Sequence, residues 1–484
     1  MKKKFGAIVM AGILACTMTA GIALSGCGSK RYDAIEELTA DSFDPNKKVE
    51  IKFYHTMGQD LRQVLTDYIE QFNILYPNIK INEQQVGSYD DVRNKITNEI
   101  NADAGEYPNI AYCYPDHVAR FNKAGVVQPL NIFLADSEYK DIKIKRADGS
   151  EEYLCLTQEQ TNDYIQGYYN EGFMFGDGSK MYTLPFSKST EVLYYNKTFF
   201  EKEENVKKGI KVPKSWDEME EVLYKIKEVD PNCVPLGYDS EANWFITMCE
   251  QQGSGYTQAE GDKYIFDNSE NREFVERFKK WYDDKLITTA GTYGVTDDKY
   301  TSNLFKVQDS YMCIGSSAGA KNQMPARTDG DYLFEIGITS IPQVHPEDKT
   351  KHKVISQGPS ICIFNHDIQE VIASWLFAKY FTTNIGFQAR FSSVSGYVPV
   401  INSVMENPTY KANIEAANGY NNVTYLSAKV CLEQSYAYFT SPAFVGSSEA
   451  RDQVGALLKD VFNGTRTIKE AFEYAIEECK YRAG

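Results

Sequence analysis

The sequence predicts an α/β fold, and three observations carry that expectation. Segments with strand character alternate with segments of helical periodicity along most of the chain. A 42 % hydrophobic content with a mean hydropathy of −0.45 is a globular composition with ample apolar material for a core. No internal repeat, heptad run or low-complexity tract interrupts the pattern. Strand–helix alternation implies a largely parallel sheet with helices on its faces. At 484 residues, the length predicts two or three domains.

The elements follow in order. Val49-Glu50-Ile51-Lys52-Phe53 alternates apolar and polar residues as a first strand. Leu61, Val64, Leu65, Tyr68, Ile69, Phe72 and Leu75 then fall at helical spacing, and Pro77 ends that helix. Ile79-Lys80-Ile81 is a second strand. A helix over Tyr89–Ala102 and a strand over Ile110–Tyr114 follow. Residues 136–182 are polar and tyrosine-rich, carry Gly176-Asp177-Gly178, and form an excursion on a surface. Val192-Leu193-Tyr194-Tyr195 is again a strand. Ser215 and Glu218 have the spacing of a capping box, in which each side chain satisfies the other's backbone N–H at a helix start. Glu273–Asp283 is an amphipathic helix burying Phe274, Phe278 and Trp281. Further helices are expected over Glu370–Thr382, Ser447–Val461 and from Ile468 to about Cys479.

The N-terminus carries a separate signal. Lys2, Lys3 and Lys4 precede an apolar run ending in Leu24-Ser25-Gly26-Cys27, a lipobox at the end of a secretory signal peptide. Residues 1–26 are therefore expected to be removed. Cys27 is expected to carry lipid, palmitate included, and to hold the protein on the extracellular face of the cell membrane. An apolar run of about 20 residues could also span a bilayer, but a spanning helix gains nothing from a Leu-Ser-Gly-Cys ending. Residues 27–47 are expected to be the lipidated cysteine and a polar tether.

Charge and residue counts exclude several function classes. The 51 Lys and Arg, less the three of the signal, face 67 Asp and Glu, a net charge of −19 for the mature part. A surface this acidic argues against nucleic acid, whose binding rests on basic side chains neutralising phosphates. Beyond Cys16 and Cys27, the eight cysteines (Cys113, Cys155, Cys233, Cys249, Cys313, Cys362, Cys431 and Cys479) are scattered without a C-x-x-C, and read as small buried apolar residues. Five histidines form no ligand cluster, so no metal is expected, and without a G-x-x-x-x-G-K-[ST] or G-x-G-x-x-G string no cofactor is expected either. The 34 tyrosines offer flat apolar faces with hydroxyls, a chemistry suited to sugars as well as to a tyrosine-rich core.

Two constellations point toward catalysis. Gly315-Ser316-Ser317-Ala318-Gly319 matches G-x-S-x-G after a strand-like Ser310–Ile314, with Asp331 and His345, His352 or His366 later in the chain. This is the basis for an alternative reading as a lipid-anchored extracellular hydrolase of glycerol esters or glycans, with Ser317 as nucleophile. The competing reading places Ser316 and Ser317 at a helix N-terminus, where free N–H groups and hydroxyls receive an anion or a hydroxylated ligand. A glycosidase would need two carboxylates across a cleft; Asp116, Glu191 and Asp239 are candidates by neighbourhood.

A series of strings resembles the family 1 extracellular solute-binding proteins of ABC importers, over essentially the whole mature chain. The strings are Phe53-Tyr54-His55-Thr56-Met57-Gly58, Phe72-Asn73-Ile74-Leu75-Tyr76-Pro77, the long run from Leu184-Pro185-Phe186 to Tyr195-Asn196-Lys197, Pro213 to Glu218, Gly315 to Gly319, and Ser395-Gly396-Tyr397-Val398-Pro399. Their order and spacing behind a lipobox carry the likeness. The opening string and Pro185-Phe186-Ser187-Lys188-Ser189-Thr190 are most similar to glycerol-3-phosphate-binding members.

The resemblance implies a two-lobe periplasmic-binding-protein-like fold of type II with a ligand cleft between the lobes. It divides the chain into 48–189 plus 357–405 for one lobe and 190–356 plus 406–484 for the other. It implies no catalysis but capture of a sugar, glycerol 3-phosphate or glycerophosphodiester by a monomer, which delivers it to membrane permease subunits. It also implies ligand contacts at Tyr89, Asp116, Ser189, Trp244, Ser316 or Ser317, Gly358 and Tyr397, with Arg451 facing a phosphate.

Overall fold

The strand Ser189–Asn196 is the hub of the larger of two main sheets. It pairs antiparallel with Met312–Ser316, Ile336–Thr339 and, at its N-terminal end, Val354–Gln357. Seven of its eight residues are buried, because it is covered on both faces. Met312–Ser316 continues the sheet in parallel to Leu236–Tyr238, which pairs in parallel with Ile287–Thr289. The smaller sheet runs Ile79–Gln85, Val49–His55, Ile110–Cys113, Ser360–Ile363 and Leu184–Pro185. Its first three strands are parallel and joined by helices; Ser360–Ile363 returns antiparallel to Ile110–Cys113. The computed structural model describes residues 31–102, 105–293 and 300–482. The expected signal peptide, residues 1–26, and the expected lipidation site Cys27 lie outside the described residues.

Two links carry the chain between these sheets. One runs from Leu184–Pro185 through Phe186, Ser187 and Lys188 into Ser189–Asn196; the other runs from Val354–Gln357 through Gly358 and Pro359 into Ser360–Ile363. They touch each other. Lys188 Nζ donates to the Gly358 carbonyl at 2.9 Å and is paired with Glu171. Glu171 also accepts from Ser360 Oγ at 3.0 Å, Thr440 Oγ1 at 3.2 Å and Ser356 Oγ at 3.3 Å. Lys188 and Glu171 are both buried. Gly358 has φ +85°, and a Cβ there would lie 2.4 Å from the Ser187 carbonyl oxygen, so only glycine lets the links approach so closely.

The apolar core divides into clusters, the largest of which takes in the smaller sheet together with Val192, Tyr194 and Cys313 of the larger one. Phe53, Phe72, Trp375 and Phe377 pack on the smaller sheet, joined by Val404, Tyr410 and Cys431 from later in the chain. Trp216, Trp244, Phe278 and Trp281 pack beside the larger sheet, with Leu458 and Phe472 of the helices Ser447–Phe462 and Ile468–Arg482. All eight described cysteines are free and buried. Cys113 and Cys362, on adjacent strands, place their sulfurs 3.5 Å apart.

Three local expectations are corrected. The sheets are mixed rather than largely parallel, because the hub strand and the second link run against their neighbours. The stretch 31–47 is docked instead of forming a free tether: Leu38 and Phe43 are buried, and Gln128 exchanges hydrogen bonds with the Ile35 backbone at 2.8 Å. Only half of the capping box closes. Ser215 Oγ accepts from Glu218 N at 3.0 Å, but the Glu218 carboxylate reaches back one residue further, to Lys214 N at 2.7 Å.

Candidate ligand cleft

A polar cleft opens between the two sheets beside the links. It has two adjoining chambers, of about 680 Å³ and 550 Å³, which share Asp239, Ser240, Asn243, Tyr300 and Gln357 in their walls. Both volumes fall in the range of small-molecule sites. In the first chamber, Tyr89, Tyr114 and Asp116 face Arg451 and Asp452, with Ser356 between. The second is bounded by Glu191, Gly315, Ser316 and Gln323.

The smaller sheet presents its aromatic residues through helix starts. Ser88 caps the helix Tyr89–Asn101: its Oγ accepts from Asp91 N at 3.2 Å while Ser88 N donates to Asp91 Oδ2 at 2.8 Å. The bonds to Ser88 hold the Asp91 carboxyl below its ordinary range. The cap fixes Tyr89 at the first helical position. There its ring meets Tyr114 edge-on at 4.8 Å, and its hydroxyl lies 3.1 Å from the Tyr397 hydroxyl. Burial, reinforced by neighbouring tyrosines, pushes the Tyr89 hydroxyl pKa well up, so it stays a neutral donor and acceptor. Pro115 opens the next helix, placing Asp116 in its first turn, where the carboxylate accepts from His117 N at 3.0 Å.

The larger sheet presents mainly carboxylates and amides. Asp239 follows the strand Leu236–Tyr238; its Oδ1 accepts from Thr301 N at 2.8 Å and Thr301 Oγ1 at 2.7 Å. A Cβ at position 315 would lie 2.8 Å from Asp239 Oδ2, so Gly315 lets this carboxylate lie against its strand. Ser240 caps the helix Glu241–Gln252, accepting from Asn243 N at 3.2 Å. Asn243 Oδ1 in turn accepts from Arg451 Nη1 at 2.7 Å. Glu191 is buried opposite Ser316 and accepts from the Tyr238 hydroxyl at 2.5 Å. Burial pushes its pKa up to about 7; Asp239 adds to the shift and Tyr238, Asn243 and Arg451 oppose it.

The structure brings together some of the residues expected from sequence and separates others. Tyr89, Asp116, Ser316 and Arg451 line the chambers. Tyr397 stands behind Tyr89 on a shared hydroxyl contact. Gly358 borders a small adjoining recess with Glu171 and Tyr256. Ser189 is buried in the hub strand, paired with Gln357. Trp244, expected to stack on a ligand, is fully buried in the core: its ring lies 3.9 Å from Phe278 and 4.7 Å from Tyr238. Helix geometry explains the difference, because Asn243 and Trp244 project about 100° apart, and Asn243 takes the cleft side.

Ser317, the candidate nucleophile, is also fully buried, and its Oγ accepts from Thr190 N at 3.2 Å. Among the described residues no histidine is hydrogen-bonded to it. His366 bonds the Pro108 carbonyl, His352 the Tyr436 hydroxyl, and His345 faces Glu347. The G-x-S-x-G string is instead a strand end and a helical turn, with Ser316 capping Ala318 N at 3.3 Å. Among the described residues no three His, Cys, Asp or Glu side chains group closely enough to hold a metal ion, and no helix is long and apolar enough to cross a membrane.

Sequence reasoning missed Tyr114, Asn243 and Gln357 in the walls. Asn243 carried a usable signal, since Ser240 is a cap residue and its third successor sits on the first exposed turn. Gln357 carried none, because its place depends on strand pairing.

Comparison with known proteins identifies the architecture. A maltotriose-binding protein of Pyrococcus abyssi is 23% identical over 363 residues, covering 75% of this chain and 68% of that protein. The sn-glycerol-3-phosphate-binding periplasmic protein UgpB of Yersinia pseudotuberculosis is 21% identical over 443 residues, covering 88% and 91%. Among solved structures, UgpB from Mycobacterium tuberculosis in complex with glycerophosphocholine superposes with a TM-score of 0.67 at 15% identity, over 90% of this chain and 98% of the other. The sugar-binding protein MalE from Xanthomonas citri gives 0.69 at 17%, over 90% and 97%. These likenesses show the two-lobe α/β fold of periplasmic binding proteins. The family model for bacterial extracellular solute-binding proteins matches residues 67–418, and this chain belongs to that family.

Proposed function

We propose that this protein captures a carbohydrate or glycerol-3-phosphate-like solute outside the membrane and delivers it to the permease of an ABC importer. The observation that carries the reading is the two-chamber cleft between sheets, walled by tyrosines, hydroxyls, amides and carboxylates, in a chain of this family. The named relatives supply the ligand classes: one binds maltotriose, one sn-glycerol 3-phosphate, and one was solved in complex with glycerophosphocholine.

Capture rather than turnover fits the side chains present. Tyr89 and Tyr114 offer ring faces to C–H patches; Asp116, Asp239, Asn243 and Ser316 take hydroxyls; Arg451 is the cation for a phosphate. Tyr397 supports Tyr89 through its hydroxyl, while Gly358 and Ser189 belong to a link and the hub strand beside the cleft, and Ser317 is bonded to that strand. The first lobe is taken as 48–189 plus 357–405 and the second as 190–356 plus 406–484. A solute touching both lobes shifts the population toward a closed form, because only contacts made in that form favour it. Lipid on Cys27 keeps the monomeric receptor on the outer face of the membrane beside its permease.

A thermal-shift panel of maltooligosaccharides, glycerol 3-phosphate and glycerophosphodiesters, followed by analysis of the solutes, tests the reading. Stabilisation by at least one class with the solute recovered intact is expected. Turnover of the solute, or no shift with any class, contradicts it.

A further inference from the structure

The second chamber has a wall of acceptors whose two carboxylates form no ion pair among the described residues. Glu191 is 1% exposed and lies opposite Ser316. Asp239 directs one carboxylate oxygen to Thr301 and the other along Gly315, on the same wall. Among the described residues neither carboxylate lies within 4.0 Å of a Lys or Arg nitrogen. Lys306 borders the chamber but pairs with neither acid. Gln323, 2% exposed and in the same wall, has an Oε1 with no hydrogen-bond partner.

A buried carboxylate beside a second one needs a proton or a counter-charge, since desolvation and mutual repulsion both oppose ionisation. An orphaned buried amide oxygen calls for a donor as well. A phosphate offers neither. A group with a positive charge and several N–H donors satisfies all three at once.

We propose that the second chamber takes a positively charged ammonium group of the solute, held by Glu191 and Asp239 with Gln323 Oε1 as a further acceptor. The inference rests on the capture reading above and narrows its solute class. The ammonium can belong to an amino sugar or to the headgroup of a glycerophosphodiester; the chemistry at the wall is the same.

The test uses two matched pairs in isothermal titration with the whole mature protein. The β-1,4-linked glucosamine dimer is compared with cellobiose, and glycerophosphoethanolamine with glycerophosphoglycerol. Within the pair that binds, the ammonium member should bind about tenfold tighter or better, the scale of one charge-assisted hydrogen bond. Glu191→Gln, which keeps its partners Tyr238 and Asn243, should collapse that ratio toward one, and Asp239→Asn should reduce it independently. Which pair binds tells the sugar source from the lipid-headgroup source. Equal or weaker binding of the ammonium member overturns the proposal while leaving capture standing. So does a preference that survives both substitutions. Failure of all four solutes to bind, with maltooligosaccharides or glycerol 3-phosphate binding, also overturns the ammonium site alone. Failure of every solute overturns the capture reading with it.

Discussion

Arg451 Nη1 donates to Asn243 Oδ1 at 2.7 Å, joining the helix Ser447–Phe462 to the first turn of Glu241–Gln252 on one wall of the cleft. Among the described residues Arg451 pairs with no carboxylate, although Asp116 and Asp452 share its chamber. A guanidinium held by a neutral amide keeps its charge for an incoming anion.

Arg451→Ala should therefore weaken a phosphorylated solute by about 1.5–3 kcal/mol, the worth of a charge-assisted bond. A neutral sugar should lose far less. Titration calorimetry with both solute types checks the difference; equal losses would assign Arg451 to the wall's architecture alone.

Trp244 makes the opposite prediction. Its ring stacks within the core against Phe278, Tyr238 and Trp216. Trp244→Ala should cost about 3–5 kcal/mol of folding stability through the cavity it leaves. Trp244→Phe should cost less, since the indole N–H has no partner to lose. Urea denaturation measures both. Unchanged stability with abolished binding would return Trp244 to the ligand.

The Glu191 carboxyl, raised from its ordinary 4.5 to about 7, links stability to pH. Between those values the folded state holds a proton that the unfolded chain releases, so folding stability falls as pH rises through this window and levels off above about 7. The shift corresponds to about 3 kcal/mol at full ionisation. Glu191→Gln should therefore gain stability relative to the parent between pH 5 and pH 8, by urea denaturation. A difference independent of pH would contradict the assignment.

The buried pair of Lys188 and Glu171 ties the two links together. Lys188→Met leaves Glu171 as an unpaired buried carboxylate and should cost about 3–5 kcal/mol. Adding Glu171→Gln should recover part of the loss, because the uncompensated charge is gone. Equilibrium unfolding of the single and double variants checks this; simple additivity would show that the pair is not coupled.

Much of the fold was legible because its elements obey local rules. The strand Val49–His55 and the helix Gln59–Leu75 follow from alternation and from 3.6-residue spacing, and Ser88 and Ser215 mark helix starts by their chemistry. Sheet direction was not legible, since pairing of Ser189–Asn196 with Val354–Gln357 joins residues more than 150 positions apart in the chain. The cleft was legible in part. Tyr89 and Asp116 sit at helix starts that the sequence marks, whereas Trp244 and Asn243 differ only by one step around a helix. The docking of Phe43 escaped notice because single apolar residues in a polar stretch carry no period.

Hydrogen–deuterium exchange of the protein with and without a bound solute tests most directly whether the solute sits between the two sheets. Protection is expected together at 88–93 and 114–117 on one wall and at 239–243 and 448–455 on the other. Protection confined to one wall, or spread without regard to the cleft, would contradict capture between them.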